Sequence, residues 1–135
     1  MAELRCEIVT PEGPVFAGLA KMVVVPGKEG GLGVLPRHAP IVAQLVVGEV
    51  RVTLPDDAVR AFATSDGYFK MQHEVATLLV DAAEPVEAID APAAQAQAAD
   101  ARARIEASST DEAIDRHRAE RDLADAENRL RVAGR

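Results

Sequence analysis

Three histidines, one cysteine and 22 carboxylates are the side chains of this 135-residue sequence best suited to chemistry. His38, His73 and His117 are scattered, and none stands at metal-ligand spacing from another His, Cys or carboxylate. No nucleophile turn and no Ser-His-Asp arrangement is visible. Cys6 falls in a strand-like run and reads as a small core residue. The carboxylates lie in turns and on helix faces, where water solvates them. Gly27-Lys28-Glu29-Gly30-Gly31-Leu32-Gly33 invites a phosphate-loop reading. Such a loop needs Ser or Thr after its Lys and a helix behind it. Here Lys28 is at the wrong end, and Val34-Leu35-Pro36 cannot open a helix. The stretch reads instead as a glycine-permitted turn presenting an exposed loop. No catalytic site, no metal and no cofactor is expected.

The elements that carry these residues are of two kinds, and the change falls near Glu84-Pro85. Before it lie every glycine except Gly134, all three Phe, the one Tyr and all three Lys; after it Ala, Arg, Asp and Glu dominate. The expected division is a β domain over residues 1–85, then a linker and helices over 86–135, with Pro85 and Pro92 bracketing the linker. Apolar residues make up 48% and aromatics 3%, so the core must be built from Val, Leu, Ile and Ala. A formal charge of -7 opposes non-specific binding to nucleic acid or anionic lipid, since both are polyanions. A single cysteine allows no internal disulfide and points to a reducing compartment. The longest apolar runs, Ile41–Val47 and Val75–Val80, fall far short of the roughly 20 residues a membrane span needs.

Upstream, short runs rich in β-branched residues alternate with turn formers. Strands are predicted at Leu4–Val9, Val15–Ala17, Lys21–Val25, Gly33–Leu35, Ile41–Val47, Glu49–Leu54, Ala58–Thr64, Tyr68–Gln72 and Ala76–Asp81. Asp66-Gly67 predicts a hairpin turn and Pro55-Asp56-Asp57 a slightly longer one. Leu78-Leu79-Val80 does not alternate, which predicts a strand covered on both faces. Strands of this number and spacing imply a sandwich or flattened barrel.

Downstream the period changes. Ala94, Ala98, Ala101 and Ile105 form one helical seam, and Ala119, Leu123, Ala126 and Leu130 form another. Pro92 suits a first helical turn. Ser109 with Glu112 predicts a capping box that starts the second helix after a three-residue connection, making the helices antiparallel neighbours. Each seam Ala in place of Leu forfeits about three buried carbons, or roughly 2 kcal/mol. Alanine is nevertheless the best helix former. The hairpin should be well formed but weakly docked, the profile of a movable element.

The stretch Val24-Val25-Pro26-Gly27-Lys28-Glu29-Gly30-Gly31-Leu32-Gly33-Val34-Leu35-Pro36-Arg37-His38-Ala39-Pro40-Ile41-Val42 resembles the ε subunit of F-type ATP synthases, where a Gly-rich turn precedes Leu-Pro-x-His-Ala-Pro. Gly48, Asp66-Gly67-Tyr68-Phe69, Val75–Glu84 as a final strand and Ile89-Asp90 follow in the family's order, so the resemblance spans essentially the whole chain. It implies an all-β sandwich of about ten strands followed by an α-helical antiparallel hairpin. It also implies a non-catalytic rotor subunit at the foot of the central stalk, set against the γ subunit and the c-ring during proton-driven ATP synthesis. In many bacterial members the hairpin extends along γ towards the α and β subunits and inhibits ATP hydrolysis.

By the same resemblance, Gly27, Gly30, Gly31, Gly33, Arg37, His38, Ala39 and Pro40 are the expected contacts with the c-ring and γ. Arg37 stands where glycine is common in the family. Arg116, Arg118, Arg121, Arg129 and Arg131 either face acidic surface on the β subunits or form a salt-bridged solvent face with Asp115, Glu120, Asp122, Asp125 and Glu127. Some members bind ATP through an Ile/Leu-Asp-x-x-Arg-Ala motif; here Ile89-Asp90-Ala91-Pro92-Ala93-Ala94 lacks the arginine, so weak or absent ATP binding is expected. The sequence from Met1 shows no leader, and the expected location is the cytoplasmic face of a bacterial cell membrane, peripheral and held through the complex. Two other classes compete: a free-standing interaction module acting on another large machine, and a small hydrolase, which lacks a catalytic constellation.

Overall fold

The computed structural model describes residues 3–134. The chain divides into two compact units, Met1–Val86 and Glu87–Arg135. The first holds ten strands: β1 (Leu4–Thr10), β2 (Gly13–Ala20), β3 (Met22–Gly27), β4 (Gly30–Val34), β5 (Ile41–Leu45), β6 (Gly48–Thr53), β7 (Val59–Thr64), β8 (Gly67–Gln72), β9 (Val75–Val80) and β10 (Ala83–Pro85). All belong to one ladder in the order β10-β7-β6-β3-β5-β8-β9-β1-β2, with β4 attached to β3. Every pair is antiparallel except β1 with β9.

Strand β3 is the corner of the sandwich. Met22–Val24 pair with β6, while Gly27 pairs with Leu45 of β5. Pro26 lies between and has no N–H to donate, though its carbonyl accepts from Val46 N at 2.9 Å. The ladder folds over here, so the strands on either side of the corner face each other. Alternation then fills the interior. Cys6 and Ile8, Val50 and Val52, Phe69 and Met71, and Ala76 and Leu78 point into one buried cluster, joined by Val23, Val25, Leu45 and Phe62. Phe16 meets Phe62 edge-to-face at 5.8 Å, and the Arg60 guanidinium lies over both rings.

Several expectations change in three dimensions. Asp66-Gly67 is not a hairpin turn, because β7 and β8 do not pair; the segment carries the chain from one side of the sandwich to the other. Gly67 is required there for space, since a Cβ would sit 2.1 Å from the Leu79 carbonyl. Leu79 is not covered on both faces: it is 53% exposed, on the outer side of β9. The β8–β9 hairpin turns at His73-Glu74, both at positive φ as a type I′ turn demands, although neither residue is the usual Gly or Asn. A tenth strand ends at Pro85, and a 3₁₀ turn, Val86–Ala88, occupies much of the expected linker. Pro85 is tolerated in β10 because that strand is an edge of the sheet.

The second unit is two helices, α1 (Ala91–Ala107) and α2 (Arg116–Ala133), packed against each other. Cross-helix partners Gln97–Arg129, Arg102–Glu127 and Arg104–Asp122 run in opposite numerical directions, so the helices are antiparallel. Ala94, Ala98, Ala101, Ala119 and Ala126 are buried, as are Asn128 and Val132; Ile105, Leu123 and Leu130 are half-buried. The predicted capping box is corrected. Ser109 sits in the connection with its hydroxyl donating to the Glu106 carbonyl, and α2 starts after residues 108–115. Its cap is Asp115, which accepts from Arg118 N at 3.0 Å, while Asp111 accepts from Ala113 N within the loop.

Candidate interaction surfaces

The glycine-rich segment is the β3–β4 hairpin. Gly30 takes φ 128°, and a Cβ on Gly27 would lie 2.6 Å from the Gly30 carbonyl, so this turn needs both glycines. Gly31 and Gly33 differ. A Cβ at either would meet nothing within 4 Å, and neither has positive φ, yet both are exposed. Nothing within the fold requires their bareness. Beside them runs an open groove of about 600 Å3 lined by residues 27–32 and by Ile41, Val42, Ala43 and Gln44 of β5. Val42 is 72% exposed beside it.

The segment after β4, residues 35–40, is held by few bonds because Pro36 and Pro40 have no N–H. His38 N donates to the Leu35 carbonyl at 3.2 Å, and His38 Nδ1 to the Ala39 carbonyl at 2.7 Å. Arg37 N donates to Glu74 Oε1 at 2.9 Å. Arg37 has φ 66°, the left-handed conformation in which glycine is least strained. Leu35, Arg37, Ala39 and Pro40 are exposed. The eight expected contact residues thus fall on one hairpin and the segment leading out of it.

A further surface was missed at the sequence level. Tyr68 stands opposite Leu79, and Leu79 opposite Val9, so an apolar row crosses three strands on the outer side of the sandwich. Tyr68 is 60% exposed. An open cleft of about 420 Å3 adjoins this row, lined by Val9, Thr10, Pro11, Asp66, Gly67, Tyr68, Leu79, Val80 and Asp81. The signal lay in Leu78-Leu79-Val80, whose middle leucine breaks alternation towards water.

The structure does not gather the α2 arginines on one face. At about 100° per residue, positions 116, 118, 121, 129 and 131 spread around the helix. Arg116 pairs with Glu120 at 2.8 Å, Arg129 donates to Gln97 of α1 at 3.0 Å, and Arg131 donates to Asn128 at 2.6 Å. Arg116, Arg118, Arg121 and Arg131 are exposed and Arg129 is half-buried. Asp90 is the N-cap of α1 and accepts from Ala93 N at 3.1 Å, with Ile89 half-buried before it. Among the described residues no group of three His, Cys, Asp or Glu could hold a metal ion. Burial, with a smaller contribution from neighbouring Glu7, pushes the Cys6 thiol up to about 12, which leaves it protonated and inert at neutral pH. Among the described residues no helix is long and apolar enough to cross a membrane.

A sandwich that exposes a bare hairpin and an apolar row, joined in sequence to a helical hairpin, presents surfaces suited to contact with other chains. Residues 3–86 match the family described as ATP synthase, Delta/Epsilon chain, beta-sandwich domain. The ATP synthase epsilon chain of Stenotrophomonas maltophilia is 41% identical over 90 residues, 67% of this chain and 64% of that protein, so the match spans somewhat under two thirds of that relative's length. The epsilon chain of Alkalihalophilus pseudofirmus is 41% identical over 108 residues, 80% of each protein. The fold is also that of a chain in the mitochondrial ATP synthase OSCP/F1/c-ring structure of Euglena gracilis, with TM-score 0.80, 24% identity and coverage of 100% of this chain and 83% of that one. The chain belongs to the ATP synthase δ/ε chain family, and among its members it resembles the ε type.

Proposed function

We propose that this chain is the ε subunit in the central stalk of an F-type ATP synthase, coupling the γ subunit and c-ring during proton-driven ATP synthesis at the cytoplasmic face of a bacterial membrane. The observation that carries the reading is the pair Gly31 and Gly33, exposed and glycine although nothing in the fold excludes a side chain. A bare strand of this kind lets another backbone come close. The β3–β4 hairpin and Arg37-His38-Ala39-Pro40 are assigned to the c-ring, where polar backbone is presented. The apolar row Tyr68–Leu79–Val9 is assigned to γ, because aromatic and aliphatic surface of this kind forms the centre of protein interfaces. Within this reading residues 1–85 are the rotor-binding domain.

The helical unit is assigned the regulatory role. Its seam buries mostly alanine, so separating the helices exposes little apolar surface, and extension towards the α and β subunits would inhibit ATP hydrolysis. Arg116, Arg118, Arg121 and Arg131, the exposed arginines of α2, are assigned to a β-subunit contact. With Asp90 occupied as a helix cap and alanine at position 93, ATP binding at Ile89-Asp90 is weak or absent.

The test is Gly31→Val with Gly33→Val in the assembled complex. Proton-driven ATP synthesis should fall severalfold while the thermal stability of the free chain stays unchanged. Full synthesis with both valines in place would remove the contact assignment. Deleting residues 91–135 should raise ATP hydrolysis by the complex, and unchanged hydrolysis would remove the inhibitory assignment alone.

A further inference from the structure

Three of the four non-glycine residues at positive φ among the described residues, Arg37, His73 and Glu74, are brought together by one hydrogen bond. The fourth, Asp57, lies in the β6–β7 turn and pairs with Lys21. A left-handed conformation strains a residue with a Cβ and persists where surrounding bonds determine it. The bonds here are specific. Arg5 N on β1 donates to the Glu74 carbonyl at 2.8 Å, which ties the His73-Glu74 turn to the sheet. From that anchored turn the Glu74 carboxylate accepts Arg37 N–H at 2.9 Å. The 35–40 segment has prolines at both Pro36 and Pro40, and the bond from His38 N to the Leu35 carbonyl stays inside the segment. The Glu74 bond is thus the one connecting this segment's backbone to the distant β8–β9 turn.

We infer that Glu74 is a positioning residue for the 35–40 segment: its carboxylate holds Arg37 in the left-handed conformation and so presents Arg37-His38-Ala39-Pro40 in a fixed shape. The inference rests on the assignment of that segment to the c-ring for its functional meaning, but the hold itself is a property of the chain alone. Glu74 contacts no partner in this role. It acts through the Arg37 amide, and a glycine at position 37 would need the hold less because left-handed φ costs glycine almost nothing.

The experiment uses two readouts on the full-length chain. First, amide exchange at Arg37 is followed by NMR in Glu74→Ala, Glu74→Gln and the unaltered protein. Loss of a charge-assisted acceptor should speed Arg37 exchange about tenfold in Glu74→Ala, and much less in Glu74→Gln, which keeps an acceptor oxygen. Amides of β8 and β9 serve as the control for turn damage. Unchanged exchange at Arg37 in Glu74→Ala overturns the inference. Second, an Ala39→Cys cross-link to the c-ring is measured in the assembled complex, where the buried Cys6 thiol does not compete. Its yield should drop at least twofold with Glu74→Ala and recover when Arg37→Gly is added. A drop that Arg37→Gly leaves unrepaired overturns the positioning role. Absence of the cross-link even with Glu74 intact overturns the c-ring assignment, while the exchange result still decides whether Glu74 holds the segment.

Discussion

The two units of this chain use opposite means of holding together. The sandwich buries Phe62, Phe69, Leu4, Ile8, Leu78 and a set of valines completely, each contributing about 1.5–3 kcal/mol. The helical hairpin buries alanines and relies on polar links across its seam: Arg104 reaches Asp122 at 2.8 Å, Arg102 reaches Glu127 at 3.5 Å, and Arg129 reaches Gln97 at 3.0 Å. Apolar burial is not screened by salt, whereas exposed ion pairs are. The difference teaches that two well-formed units of one chain can be held by different forces, apolar burial in one and polar links across a small-residue seam in the other. It is not a difference in regularity, since both units are fully formed secondary structure.

The largest effect should come from the sandwich. Phe62→Ala removes a ring that is fully buried and packed against Phe16, and should cost about 3–5 kcal/mol of stability by urea unfolding. If the helical signal at 222 nm unfolds with an equal shift, the two units form one cooperative structure and the contrast between them fails. A middle-sized effect sharpens the hairpin side. Asp115→Ala should cost about 1 kcal/mol of helix stability, whereas Ser109→Ala should cost little, because Asp115 and not Ser109 caps α2. The reverse order in thermal melts would restore the capping box read from sequence.

The smallest effect concerns the seam. Hydrogen bonds to Asp122 and then Asp100, opposed by some desolvation, raise the Arg104 pKa further, so it stays charged at every working pH. Spin labels on α1 and α2 should report a modest widening of the distance distribution as salt rises from about 0.01 M to 1 M, where screening shortens from about 30 Å to 3 Å. Asp122→Asn should remove most of that salt dependence. Equal salt sensitivity in the variant would mean that the pair Arg102–Glu127, and not Arg104–Asp122, carries the electrostatic closure.

Much of the architecture was legible in the residues themselves. Cys6 and Ile8 alternate with Arg5 and Glu7, and Val50 and Val52 with Arg51, so inward and outward faces follow from a period of two. The alanine seams follow equally from a period near 3.6, and Ala94, Ala98, Ala101, Ala119 and Ala126 are indeed the buried ones. Connections were less legible. Asp66-Gly67 has hairpin chemistry, yet its glycine answers to the Leu79 carbonyl, a neighbour distant in sequence. His73-Glu74 has no hairpin chemistry and makes the turn regardless, held by Arg5 from β1. At the candidate site, the glycines and the Arg37-His38-Ala39-Pro40 segment could be named from sequence, but the Tyr68–Leu79–Val9 row could not. Membership in a cross-strand row depends on register, which periodicity within one strand cannot supply.

By itself, then, the sequence determined which residues of the alternating strands face inward, where strand gives way to helix, and that alanine would fill the helical seam. These follow from side-chain size, branching and spacing along the chain, which are local. The tertiary structure decided which glycines are steric necessities and which are bare without cause, which outward residues stand side by side, and which carboxylate grips Arg37. Each of those depends on distances between strands far apart in the chain, fixed only when the ladder folds over at Pro26 and closes its core.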